Sequence, residues 1–338
     1  MCLEVCSYNH SEIALNELPK VSYGAWSKEK SVRHICASGG VGFEIGRYLI
    51  GKGYKAIGVK YDVKRAKAEH YVASSVDEFI LSMGSKYIQS YTLSGFKEIN
   101  RKDKFLVSGT PCQIDSLRRY INKMKCQENF VLLDFFCHGV PSKFVWDKYI
   151  KEQQDKLGNI DFVSWRNKQN GWHDSWAMTI SPLDRGEVVD WYDSYNLLIK
   201  EKKGCVNSRW TQGDTFYNMF LGNNCLGKAC YKYCKFKYDH SSADIRIGDM
   251  WGETYAKEDK GVTACVAFTQ QGMDVLNNVN CELVEYPFAR VAEGQIKTKI
   301  KYPMGWSFVI FFAKLQSVSM KQLVFFSRII GKFNKIFK

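Results

Sequence analysis

Three cysteines within ten residues, Cys225, Cys230 and Cys234, are the densest chemical signal in the chain. Thiolates so spaced can wrap one soft metal centre, and both tetrahedral zinc and an iron–sulfur cluster meet that description. A structural zinc would take a fourth local ligand, and His240 stands six residues beyond Cys234. A cluster would draw instead on Cys112 and Cys137, each of which follows a strand-like run. This second reading takes Cys112, Cys137, Cys230 and Cys234 as the metal ligands, with Cys225 as a substitute. The chain has 12 cysteines in all. Its opening, Met1-Cys2-Leu3-Glu4-Val5-Cys6, lacks the basic and then apolar stretch of a secretory signal, so a cytoplasmic location is expected. In a reducing compartment closely spaced thiols are weighed first as metal or redox ligands, and the isolated Cys36, Cys126, Cys205, Cys265 and Cys281 as buried apolar residues.

Other residues bring phosphate- and ring-binding chemistry. Gly109-Thr110-Pro111-Cys112-Gln113 stands where a helix begins, so its free backbone N–H groups suit a phosphate or a cluster sulfide. Proline at the first helical position is equally common for structural reasons. Ser38-Gly39-Gly40-Val41-Gly42 could let backbone approach a pyrophosphate. His138 could transfer a proton or donate to a cofactor or substrate oxygen, although a lone histidine is more often structural. Lys86, beside Ser85, could meet a phosphate and Tyr87 could stack on a ring. Asp249 and Trp251 would either shape a cofactor pocket or end a buried strand.

Strand-like and helix-like stretches alternate from residue 38 to about 157, the pattern of an α/β fold with a mostly parallel sheet and flanking helices. The glycine-rich turn leads into a helix through Ile45, Leu49 and Ile50, stopped at Gly51-Lys52-Gly53. Residues 56–59 read as a short strand and 77–83 as a helix. A strand over 105–108 precedes a helix over 113–123 with Ile114, Leu117 and Ile121 on one face, and a strand over 131–136 precedes a helix over 143–156 with Ser142 as N-cap. In a parallel sheet both turns lie at the carboxyl edge, where ligands bind, so Cys112 and Cys137 are expected to share one rim. Past Gly158 an antiparallel α+β subdomain carries the cysteine cluster, with strands over 161–166, 176–181 and 187–192, a turn at Asp184-Arg185-Gly186, a helix over 214–221, and further strands over 243–248 and 262–268.

Six stretches add up to a resemblance. Ser38-Gly39-Gly40, then Gly84-Ser85-Lys86-Tyr87-Ile88-Gln89-Ser90, then Ser108-Gly109-Thr110-Pro111-Cys112-Gln113-Ile114, then Cys137-His138-Gly139-Val140-Pro141-Ser142 come first. Cys230-Tyr231 through Cys234-Lys235-Phe236-Lys237 and Gly248-Asp249-Met250-Trp251-Gly252 follow. In order and spacing they resemble the coenzyme F420 hydrogenase/dehydrogenase beta-subunit family, over roughly residues 26–276. The resemblance implies FAD, 4Fe–4S clusters, and electron transfer with a flavin- or deazaflavin-type acceptor. Shorter members of the family look like companions of pyruvyl transferases and glycosyltransferases in surface-polysaccharide gene clusters. The expectation is therefore an iron–sulfur flavoprotein oxidoreductase acting on a small-molecule or glycan precursor in polysaccharide biosynthesis, with a redox partner protein. The alternative is a non-redox accessory protein of such a pathway, with zinc or no metal.

Three departures accompany the resemblance. Members commonly open with four cysteines followed by proline, and Cys2-Leu3-Glu4-Val5-Cys6-Ser7 resembles only the end of that segment, which favours a start upstream of Met1. Cys230 and Cys234 are separated by three residues where the family pattern has two, and after Gly294 the pattern is left behind. The expected domains are 1–25, remnant of a ferredoxin-like segment; 26–157, the α/β cofactor-binding domain; 158–293, the second subdomain with the cysteine cluster; and 294–338, a basic amphipathic tail.

With 45% hydrophobic and 25% charged residues, the chain is neither disordered nor a disulfide scaffold. Its formal charge of +13 is concentrated at one end, since from Gly294 onward there is no Asp or Glu against nine Lys and Arg. Between them stand Trp306, Phe308, Phe311, Phe312, Phe325 and Phe326, in runs too short to span a bilayer. Interleaved cations and apolar rings predict a basic amphipathic C-terminal helix on an anionic membrane, at the inner face of the cell membrane, with packing on the domain or a partner as the competing use. No nucleic-acid motif accompanies the charge, and nucleic acid is not an expected partner.

Overall fold

The computed structural model describes residues 1–182 and 206–336. The strand expected over 187–192, its turn at Asp184-Arg185-Gly186, and Cys205 lie outside them. Twelve strands are described. They are β1 Val21–Ser27, β2 Lys55–Asp62, β3 Lys67–Ala73, β4 Ser90–Tyr91, β5 Phe105–Ser108, β6 Phe130–Phe135, β7 Ile160–Ser164, β8 Ala177–Pro182, β9 Val206–Arg209, β10 Ile245–Asp249, β11 Thr263–Ala267 and β12 Cys281–Glu285. The helices that matter to the site are α1 Val41–Gly51, α2 Pro111–Met124, α3 Lys143–Leu157, α4 Thr215–Leu221, α5 Lys228–Lys232, α6 Trp306–Lys314 and α7 Met320–Ile336.

Nine strands form one mixed sheet in the order β12-β1-β11-β10-β6-β5-β2-β3-β4, and β7-β8-β9 form a separate antiparallel sheet. At the centre of the large sheet β2, β5, β6 and β10 run parallel, so their carboxyl ends share one edge. The β5 and β6 runs are apolar on both faces because helices cover both. Leu106, Val131, Leu133 and Ile245 point into one core with Val41, Phe43 and Ile45 of α1. The alternate residues Phe105, Val107, Phe130 and Leu132 point the other way, into a core with Ile114, Leu117 and Ile121 of α2. The predicted strands and helices around residues 105–157 therefore fall where expected, within a residue or two.

Other expectations need correction. The helix over 77–83 is a single turn, Val76–Phe79, capped by Ser75, then a 3-10 turn Ile80–Ser82 before Gly84 swings to positive φ. Ser142 does stand at the N-cap of α3, but its side chain caps nothing; its N–H instead donates to Cys225 O at 2.6 Å. Strands β1 and β3 carry no signal that the sequence reading picks up. The β2–β3 hairpin turns through Val63-Lys64-Arg65-Ala66, which has no Asn-Gly or Gly-rich signal and places Ala66 at φ +49. Residues 158–293 serve both sheets, with β7–β9 forming the small one and β10–β12 returning to the large one.

A buried ion pair fixes β6 to β10 just below the carboxyl edge. Arg246 holds Asp134 with two bonds of 2.7 Å, both side chains fully buried. The same guanidinium donates to Tyr238 O at 2.8 Å and His240 O at 3.0 Å, tying down the loop that follows Cys234.

Candidate functional site

A cavity of about 420 Å³ opens at the shared carboxyl edge, with Trp176, just before β8, and Phe220 of α4 also in its lining. The turns after β5 and β6 and the end of β10 form its floor, contributing Gly109 and Thr110, Cys137 and His138, and Asp249 with Trp251 just beyond it. The turn before α1 contributes Ser38 and Gly40, where Gly40 takes φ +89 to start the helix, and the first turn of α1 contributes Gly42. Ser85, Lys86 and Tyr87 close another side. Gln113 also lines the cavity, and its side-chain oxygen accepts from Thr110 N at 2.9 Å, completing a capping box on α2. One of the free N–H groups proposed for phosphate is therefore already satisfied.

An aromatic wall faces this floor. Tyr87 stacks on Trp176 with centroids 4.8 Å apart and leans on Phe220, and Phe220 meets the His138 ring edge-on at 4.9 Å. The His138 ring is buried against the Asn223 side chain and the Phe220 backbone, while burial and the nearby Lys237 hold the imidazole below its usual pKa. Lys86 donates to Leu81 O at 3.0 Å and Met83 O at 2.8 Å, and burial lowers its pKa to about 7.

Behind the wall sits Arg166, which sequence reasoning placed at the end of a strand and gave no role. It donates to both oxygens of Asp249 at 2.9 and 3.3 Å, to Tyr87 Oη at 3.0 Å and to Ala37 O at 3.2 Å. Its guanidinium also lies over Trp176, 4.7 Å from the ring centroid. Asp249 accepts a further bond from Trp172 Nε1 at 2.8 Å, and Trp172 stacks on Trp251 at 4.6 Å. Asp249 thus shapes the cavity through Arg166 and Trp172. Gly39 and Pro111 lie outside the lining. The Gly39 N–H donates to Thr263 Oγ1, and a Cβ there would sit 2.3 Å from Ala25 O, so this glycine is needed for packing.

Of the four candidate thiols Cys137 alone lines this cavity, and Cys112, Cys230 and Cys234 stand near it, outside the lining. A short antiparallel bridge between Pro141 and Leu226, with Gly227 N donating to Val140 O at 2.8 Å, zips the turn after β6 to the segment entering α5. Gly139 takes φ +140 against Leu226, where a Cβ would come within 2.8 Å of a methyl carbon. The zipper delivers Cys230 and Cys234 to the rim, and the Cys137 thiol feels the charges of Cys112, Cys230 and Cys234. Burial pushes Cys137 up to about 12, against the pull of Lys237. The Val140 N–H donates to Cys230 Sγ at 3.4 Å, favouring its thiolate, though burial wins and the pKa rises. Thr110 Oγ1 stands 3.2 Å from Cys112 Sγ. Lys237 donates to His138 O at 3.1 Å and brings a positive charge to the set.

Cys225 does not join them. It is fully buried in the apolar cluster with Tyr149, Phe216 and Leu226, and burial raises its pKa. His240 is turned to Asp239, 2.7 Å away. The zinc set Cys225, Cys230, Cys234 and His240 is therefore not assembled. Among the described residues no three His, Cys, Asp or Glu close around a single metal ion. A lone zinc with Zn–S near 2.3 Å needs its sulfurs about 3.8 Å apart, whereas the four iron corners of a cubane hold theirs wider. Cys36, Cys126, Cys265 and Cys281 are buried as expected.

Residues 102–286, more than half of the chain, match the family model for the C terminus of the coenzyme F420 hydrogenase/dehydrogenase beta subunit. Among solved structures, a chain of the xenon-derivatised F420-reducing nickel–iron hydrogenase complex from Methanosarcina barkeri shares the fold. The TM-score is 0.52 at 16% identity, covering 95% of this chain and 94% of that one. No curated protein matches the chain.

Proposed function

The chain belongs to the coenzyme F420 hydrogenase/dehydrogenase beta-subunit family, and from that premise we propose that it is an oxidoreductase using FAD and one 4Fe–4S cluster. One observation carries the reading: Cys137 belongs to the thiol set and also lines the cavity, with His138 beside it. An electron leaving the thiol set would enter the cavity through a single residue. The donor set of four thiols with a neighbouring lysine and an N–H donor to sulfur suits a cluster, and the aromatic wall of Tyr87, Trp176 and Phe220 suits a flavin ring. Bound there, the two groups would supply one-electron and hydride chemistry between them.

The proposed ligands are Cys112, Cys137, Cys230 and Cys234. In this reading Tyr87 and Trp176 offer a stacking face, and His138 holds or moves a proton at Nε2. Ser38, Gly40, Ser85 and Lys86 are the polar edge nearest a phosphate. The proposed substrate is a small molecule or glycan precursor of polysaccharide assembly, which rests on the resemblance to short family members alone, and a redox partner protein would exchange electrons with the cluster. The test is anaerobic purification of the full chain, with absorbance, iron and acid-labile sulfide measured. Flavin together with iron and sulfide is expected; Cys137→Ser and Cys230→Ser lose the iron while Cys225→Ala keeps it. Protein holding zinc without iron, or neither flavin nor metal, would overturn the reading.

A further inference from the structure

We propose that the outer face of α6 and α7 binds the surface of an anionic lipid bilayer. The inference is independent of the redox reading, because it rests on the opposite side of these helices from the core. Their inner face, with Val309 and Ala313 on α6 and Met320, Leu323 and Val324 on α7, is buried in the cluster shared with α3 and α4. Their outer face leaves Phe308, Phe311 and Phe325 exposed by 64, 57 and 59%.

Phe308 stands three residues before Phe311 on α6, on the same side of the helix, and Phe311 is joined to Phe325 through two half-buried rings. Phe311 touches Phe312 at 5.8 Å, Phe312 stacks on Phe326 at 4.9 Å, and Phe326 meets Phe325 at 6.0 Å. Phe144 of α3, also exposed, lies beneath the Lys314 ammonium, 4.7 Å from its ring centroid. On the same helices Lys314, Lys321 and Arg328 are exposed, and among the described residues none of the three makes an ion pair. Lys321, Phe325 and Arg328 recur at helical spacing, so cations and rings share one side of α7.

The occupant must accept phenyl rings and unpaired cations side by side. A headgroup layer does both, taking the rings into the acyl boundary and the cations onto lipid phosphates. A second copy would set a face without a single Asp or Glu after Gly294 against itself, and like charges would oppose it. No described helix is long and apolar enough to cross a membrane, so the contact is with the surface.

The full chain, sedimented with vesicles of phosphatidylcholine and phosphatidylglycerol, is expected to pellet, and to stay in solution with phosphatidylcholine alone. The triple variant Phe308→Ser, Phe311→Ser, Phe325→Ser and the triple variant Lys314→Glu, Lys321→Glu, Arg328→Glu should each bind at least about tenfold more weakly. Thermal melts of both variants, whose changed side chains are exposed, check that they fold. Equal pelleting with neutral vesicles, pelleting with neither, or a wild-type dimer that the phenylalanine variant dissolves would overturn the proposal, the last assigning the face to a second copy.

Discussion

Cys137 and Cys225 are both buried thiols close to turns, yet the fold treats them differently. Cys137 sits where β6 ends, facing three other thiols and Lys237, whereas Cys225 faces apolar side chains. The sequence ranked Cys137 above Cys225 by its place after a strand but kept Cys225 as a substitute; what sets Cys225 aside is its direction at the Pro141–Leu226 bridge. Lys86 was legible as a pocket residue but not as a titrating one. Its pKa, lowered by burial from 10.5 to about 7, means the folded state releases its proton where the unfolded chain keeps it. Stability should therefore rise with pH between about 7 and 10.5 by up to about 1.4 kcal/mol per unit from this group. Urea unfolding of wild type and Lys86→Met across that range checks the sign: the wild type should gain on the variant as pH rises, and parallel profiles would refute it.

At the scale of elements, the site depends on how two loops are pinned. The turn after β6 is held by the short bridge to Leu226, and the loop after Cys234 by Arg246, whose charge is neutralised by Asp134. Breaking such a pair strands a buried charge, so Arg246→Met should cost about 3–5 kcal/mol, and the double variant with Asp134→Leu distinctly less. Chemical denaturation of the single and double variants tests this; equal losses would mean that packing, and not the stranded carboxylate, carries the cost. The strands β5 and β6 and helices α2 and α3 were legible because apolar residues recur at periods of two and three to four. β1 and β3 were not, since the pairing of both rests on distant partners or a turn without a sequence signal.

Across the whole molecule, Arg166 joins the two sheets. It leaves the end of β7 to bond Asp249 at the end of β10, Tyr87 and the backbone before α1. Arg166→Leu is expected to destabilise the chain by about 3–5 kcal/mol and to speed amide exchange in β7 and β8 more than in β5 and β6. Arg166→Lys should recover little, because an ammonium cannot reproduce the two-pronged grip on Asp249. Uniform exchange across both sheets in Arg166→Leu would show that they unfold as one regardless of this contact. The sequence by itself determined the alternation of strands and helices, the family, the rim turns with Cys112 and Cys137, and the one-sided charge of the tail, because each is written in local periodicity, spacing or composition. Only the tertiary structure decided that Cys225 turns into the apolar core, that Arg166 stands behind the cavity, and which side of α6 and α7 stays bare. Those depend on chain direction and on contacts between residues far apart in sequence, and no local pattern encodes them.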